Sequence, residues 1–127
     1  MRLLLDTHTL LWWLSGDRKL SANARSAIGS EENTVYVSAA SAWEISTKHR
    51  LGKLDATTLI GEMAAMLAEQ DLQPLEISVD HAERAGLLPG DHRDPFDRML
   101  IAQSQAENLT LVSNETLFDG YGITRLW

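Results

Sequence analysis

Short apolar runs alternate with longer amphipathic stretches along the whole chain. Leu3-Leu4-Leu5, Val35-Tyr36-Val37 and Leu109-Thr110-Leu111-Val112 have the length and the β-branched or aliphatic content of buried strands. Between them, apolar residues recur at helical spacing, as in Leu59, Ile60, Met63 and Leu67. The pattern predicts strands over 2–6, 34–37, 73–77, 109–113 and 123–126. It predicts helices over 8–14, 21–29, 41–51, 56–70, 79–87 and 95–107, with a short helical turn over 115–118.

Local signals agree. Ser21 opens the second helix, and Ser41 reads as the N-cap of a third that stops at Gly52. Asp55 reads as the cap of the 56–70 helix, and Asp94-Pro95 as a cap followed by proline at the first helical position. Leu87 to Arg93 reads as a loop leading into the last long helix. Short apolar strands separated by helices predict an α/β fold with a parallel sheet covered on both faces.

Composition adds bounds. With 127 residues, no repeat and no linker, the chain is expected to be one domain over 1–127. It has no cysteine, which excludes disulfides, zinc–thiolate sites and thiol catalysis and fits a reducing cytoplasm. The N-terminal apolar run is cut short by Asp6, too early for a signal peptide or a membrane span. A net charge of −7 argues against binding nucleic acid through bulk electrostatics. Such a role would need metal and local basic groups: Lys48, His49, Arg50 and Lys53, or His92, Arg93 and Arg98.

The candidate chemistry lies in four acids. Asp6, Glu44, Asp97 and Glu115 each stand where a strand hands over to a helix or where a helix begins. In open α/β sheets the ligand crevice lies outside the carboxyl ends of the strands, so acids distant in sequence can meet there. Crowded carboxylates repel, and a divalent cation with oxygen ligands relieves them, which suits Mg²⁺ or Mn²⁺. Each acid also has a purely structural reading. Asp6 can cap a helix, Ser41 to Glu44 fits a capping box, Asp94 and Asp97 are both cap-like, and Glu115 suits a helix N-terminus. Neutral Ser, Thr or Asn would cap equally well, so four carboxylates in equivalent positions favour a metal-dependent phosphoryl-transfer site.

Other chemistry is poorly supported. No glycine-rich phosphate loop and no nucleophile elbow is present. The four histidines lack metal-ligand spacing, although His8 and His92 lie nearest the expected cleft. Trp12, Trp13 and Trp43 read as core or interface. A phosphoacceptor receiver domain would need adjacent acids after the first strand and a late lysine. Here Thr7 and His8 follow Asp6, and no lysine follows Lys53.

Leu4-Leu5-Asp6-Thr7-His8 onward, Val37-Ser38-Ala39-Ala40-Ser41-Ala42-Trp43-Glu44-Ile45, His92-Arg93-Asp94-Pro95-Phe96-Asp97-Arg98 and Leu111-Val112-Ser113-Asn114-Glu115 together resemble the motifs of PIN-domain nucleases of the VapC toxin type. The resemblance runs from end to end. It implies a PIN-like three-layer α/β/α sandwich with a central parallel sheet. It implies a Mg²⁺- or Mn²⁺-dependent endoribonuclease, the toxin of a type II toxin–antitoxin pair. Its expected partners are RNA, a small antitoxin and a second copy of the chain. Carried over by position, the catalytic acids are Asp6, Glu44, Asp97 and Glu115, with metal on Asp6 and Asp97. Glu115 stands where the family usually has Asp. Ser113, Arg93 and Lys48 are the candidate substrate contacts, and Ser113, where the family has Ser or Thr, is also expected to orient an acid or water. The alternative is a catalytically silent PIN domain that only binds its antitoxin.

Overall fold

A computed structural model describes residues 1–127. Five strands form one parallel sheet: β1 (Arg2–Leu5), β2 (Thr34–Ser38), β3 (Gln73–Leu75), β4 (Thr110–Val112) and β5 (Arg125–Leu126). The order is β3-β2-β1-β4-β5. The chain therefore builds outward on one side of β1, then returns to continue on the other. The order reverses between β1 and β4, and that switch point is where such sheets open a crevice.

Period-two alternation sorts the strand residues between two cores. Leu3, Leu5, Val35, Val37 and Val112 face one layer with Leu10, Ile28, Ile45 and Leu67. These belong to helices α1 (Thr7–Ser15), α2 (Ala22–Gly29), α3 (Ala39–Arg50) and α4 (Met63–Glu69). Leu4 and Leu111 face the other layer with Leu88, Leu100, Ile101, Leu109 and Phe118. That side holds helices α5 (Val79–Leu87) and α6 (Pro95–Glu107) and the 3-10 helix Thr116–Tyr121. Leu3, Leu4 and Leu5 are fully buried, so β1 is central to both cores. Each such side chain contributes about 1.5–3 kcal/mol by leaving water. The expected α/β/α sandwich is the fold observed.

Helix α6 occupies its expected span, because Asp94 Oδ1 accepts from Phe96 N at 2.9 Å and Asp97 N at 3.2 Å ahead of Pro95. Four expectations need correction. Helix α3 starts earlier, capped by Ser38, whose hydroxyl accepts from Ala40 N; Ser41 lies inside the helix. The expected 56–70 helix is only Met63–Glu69, preceded by turns. Gly61 sits at φ +82, a left-handed conformation that interrupts a helix, and Asp55 closes a local turn onto Thr57 instead of capping α4. Strand β3 ends at Leu75, two residues before the expected end, and β5 begins at Arg125, two residues after the expected start. No helix is long and apolar enough to cross a membrane.

Candidate active site

The register of β1 on β4 pairs Leu5 with Val112, which makes Asp6 and Ser113 neighbours at the switch point. Asp6 is buried and has extended backbone as the N-cap of α1. Its two oxygens have different partners. Oδ1 accepts from Thr9 N at 2.8 Å, and Oδ2 accepts from the Ser113 hydroxyl. The capping role is thus real, and it also fixes the carboxyl at the head of the crevice. Ser113 is itself fully buried, and its Oγ accepts from Glu115 N at 3.0 Å. Ser113 therefore orients an acid, as its place in the motif implied, from a position closed to solvent.

A second fastening joins the starts of α1 and α3. Thr7 Oγ1 donates to Ser41 Oγ at 3.0 Å, both buried. One turn into α3 lies Glu44, also buried. It makes no backbone bond of the capping-box kind. Its Oε2 accepts from Lys48 Nζ at 2.5 Å, while Oε1 is buried without a partner. The Glu44 bond, then the charges of Glu44, Asp94 and Asp97, raise the Lys48 pKa against the opposing effect of burial. Lys48 therefore faces the acidic cluster.

Asp97 lies in the first turn of α6. Burial, followed by the charges of Asp94, Glu44, Asp6 and Glu115, pushes its carboxyl up to about 7. Asp97 thus feels the charge of the three other sequence-predicted acids, Glu115 least. Asp94, expected only as a cap, is the charge Asp97 feels most. His92 Nε2 approaches Asp97 Oδ2 at 3.1 Å, yet makes no aligned hydrogen bond, so the contact is one of charge and distance. His8 is exposed and stacks on Trp12 with ring centroids 5.8 Å apart, away from the carboxylates. Arg93 is exposed at the cleft beside His92.

The fit to a divalent cation rests on three features. The donors are hard carboxylate oxygens, Glu44 Oε1 is buried and unsatisfied, and Asp97 resists ionisation among like charges. No three of the His, Asp or Glu side chains stand close enough together to ligate one ion jointly. At most two of these side chains could therefore share one ion, with water completing its shell, as hard divalent cations accept.

The signals for Asp6, Glu44 and Asp97 were visible in sequence, but two positioning groups were not. The Thr7–Ser41 bond links residues 34 apart, and nothing local marks it. Arg98, visible only as part of a basic cluster, donates to Leu88 O and, at 3.0 Å, to His92 O, pinning the loop before α6.

A family model for the PIN domain matches residues 3–123. Among solved structures, VapBC2 from Rickettsia felis bound to a promoter DNA fragment is 18% identical, with a TM-score of 0.71 over 99% of this chain and 98% of that one. DNA-bound VapBC from Salmonella typhimurium is 17% identical, with a TM-score of 0.71 over 99% and 97%. VapC20 from Mycobacterium tuberculosis, a toxin that cleaves the sarcin–ricin loop, is 16% identical, with a TM-score of 0.68 over 96% of each chain. At these identities the likeness establishes the fold. No curated protein sequence matches the chain.

Proposed function

The chain belongs to the PIN-domain family, and from that premise we propose that residues 1–127 form one such domain acting as a metal-dependent endoribonuclease, the toxin of a toxin–antitoxin pair. The observation that carries this reading is Asp97, held near neutrality by burial and by four surrounding carboxylates. Burial and like charge resist ionisation of a carboxyl, and a bound cation would offset both.

Asp6 and Asp97 would hold a Mg²⁺ or Mn²⁺ ion. When bound, that ion supplies positive charge to a phosphodiester and makes bound water more acidic. The chain's own residues do the rest. Ser113 and the Thr9 amide fix both oxygens of Asp6, so its carboxyl does not reorganise. Glu44 presents Oε1 as a free acceptor for a water proton, while Lys48 neutralises Oε2 and stands ready to meet phosphate oxygen. Glu115 makes no side-chain cap bond in its 3-10 helix and is left as the outermost acid.

Two surfaces support the partners. Trp43 is 58% exposed, packs edge-to-face on Phe96 and shares a cavity wall with Ile77, Gly86, Pro95 and Met99. An apolar patch of this kind suits a second copy of the chain. Sedimentation of Trp43→Lys should show monomer where the wild type dimerises; a monomeric wild type at high concentration would remove this face as a dimer interface. The groove between α1 and the 54–66 segment, lined by Leu11, Trp12, Leu14, Leu54, Leu59 and Met66, suits an amphipathic antitoxin helix. Substituting Leu14 with Glu should weaken capture by the cognate antitoxin.

The silent-domain reading has two observations in its favour: Lys48 already occupies one oxygen of Glu44, and no three acids are grouped for one ion. A single experiment separates the two. RNA 5′ ends are sequenced after brief induction of the wild type and of Asp97→Asn. New, metal-dependent 5′-phosphate ends confined to the wild type support the nuclease. Identical end profiles support the silent domain.

A further inference from the structure

Beside the acidic cleft, a second cleft of about 450 Å³ is lined by Asp91, His92, Arg93, Leu117 and Tyr121. Its walls are built, not accidental. Arg98 fastens the loop through Leu88 O and His92 O to the helix that carries Asp97. Gln105 Nε2 donates to Tyr121 O at 3.0 Å and fixes the opposite wall. Gly90 joins the two walls: it has φ +102, and a Cβ there would lie 2.9 Å from Tyr121 Oη. The loop backbone thus lies against the edge of the tyrosine ring, where only glycine fits.

The chemistry of the lining is divided. Leu117 is 65% exposed, an apolar side chain with nothing over it. Tyr121 is half-buried and offers a ring. Arg93 is exposed and makes no ion pair or hydrogen bond. The neighbouring cations are all engaged: Lys48 by Glu44, Arg98 by two carbonyls, Arg125 by Asp119. His92 links this cleft to the acids, with Nε2 at 3.1 Å from Asp97 Oδ2.

We propose that this cleft seats one unpaired nucleobase of the RNA strand, next to the phosphate bound at the acids, with the base against Tyr121 and Leu117 and a flanking phosphate on Arg93. The proposal rests on the nuclease reading above. A chain of net charge −7 offers a polyanion no general attraction, so strand affinity must come from stacking and from local cations. Stacking on aromatic rings and pairing with arginine are how single-stranded RNA is held. An aromatic wall, an uncovered leucine and one free guanidinium, a single side chain away from Asp97, supply both.

The test uses the full chain carrying Asp97→Asn, so that the strand is not cut. Binding of a mixed-sequence single-stranded RNA decamer is compared with that of the same decamer lacking all bases. The parent should prefer the base-bearing strand by about 5- to 100-fold. Tyr121→Ala should lose that preference while Tyr121→Phe keeps it. Leu117→Ser, at an exposed position that leaves folding intact, should reduce it. Arg93→Ala should weaken both strands alike and reduce the salt slope by about 0.7. A base preference unchanged in both Tyr121→Ala and Leu117→Ser overturns the proposal and leaves the nuclease reading standing. A parent that binds neither strand, together with a wild type that cuts no RNA, overturns both.

Discussion

Replacing Asp97 with Asn should make the metal-free protein more stable at pH 8, although it removes a proposed catalytic group. The carboxyl is raised from its ordinary 3.8 to about 7, mainly by burial and then by the neighbouring acids. Folding at high pH therefore confines a charge that the unfolded chain solvates freely. A shift of that size corresponds to about 4 kcal/mol. The side chain is 22% exposed at a water-facing cleft, so screening reduces the cost to about half, or roughly 2 kcal/mol. For a domain of this length, that is a gain of roughly 6–9 °C in melting temperature. The sign follows from a raised folded-state pKa. Below about pH 4 the carboxyl is protonated in both states and costs nothing; the penalty grows as pH rises and is complete above about pH 7. The gap between Asn and wild type should thus be near zero at low pH and largest at pH 8. Manganese should reverse the order, raising the wild type by RT ln(1 + [L]/Kd) and leaving the variant nearly unmoved. Thermal unfolding across pH, with and without Mn²⁺, reads all of this. An Asn variant no more stable than wild type at pH 8 without metal, or a gap independent of pH, would refute the reasoning.

Ser113→Ala removes a buried donor from Asp6 and an acceptor from the Glu115 amide, and should cost about 1–3 kcal/mol in urea unfolding together with most RNA cleavage. A stable and fully active variant would show that Asp6 needs no such support. Lys48→Met leaves Glu44 buried without its cation; it should lose about 1.5–3 kcal/mol without metal and recover part of this in Mn²⁺, as calorimetric unfolding would reveal. Glu115→Gln should lower metal-dependent RNA cleavage less than Asp97→Asn does, and Glu115→Asp should preserve it. Cleavage unchanged in Glu115→Gln would leave a three-acid site.

Sequence alone determined what is set by neighbours a few residues apart. The unbroken apolar run Leu3-Leu4-Leu5 marked a strand buried on both faces, and Asp94-Pro95 marked the start of α6 to the residue. The strand-end positions of Asp6, Glu44 and Asp97 announced an acidic crevice, because a parallel sheet brings such positions to one edge. Helix α4 shows where local reading stops. Leu59, Ile60, Met63 and Leu67 keep helical spacing, but spacing reports which residues seek the core; it does not say whether the backbone between them is continuous, and Gly61 interrupts it. Likewise Ser41 and Glu44 carry a capping-box pattern, yet the cap is Ser38. Ser41 is bonded to Thr7, and Glu44 turns to Lys48. Only the tertiary structure decided these partners. A hydroxyl or carboxyl can bond to any group brought within about 3 Å, and which group arrives there depends on strand order and register. The reversal between β1 and β4 puts Ser113 beside Asp6, 107 residues away, and leaves Asp97 with its carboxyl pushed up to about 7 among acids drawn from every part of the chain.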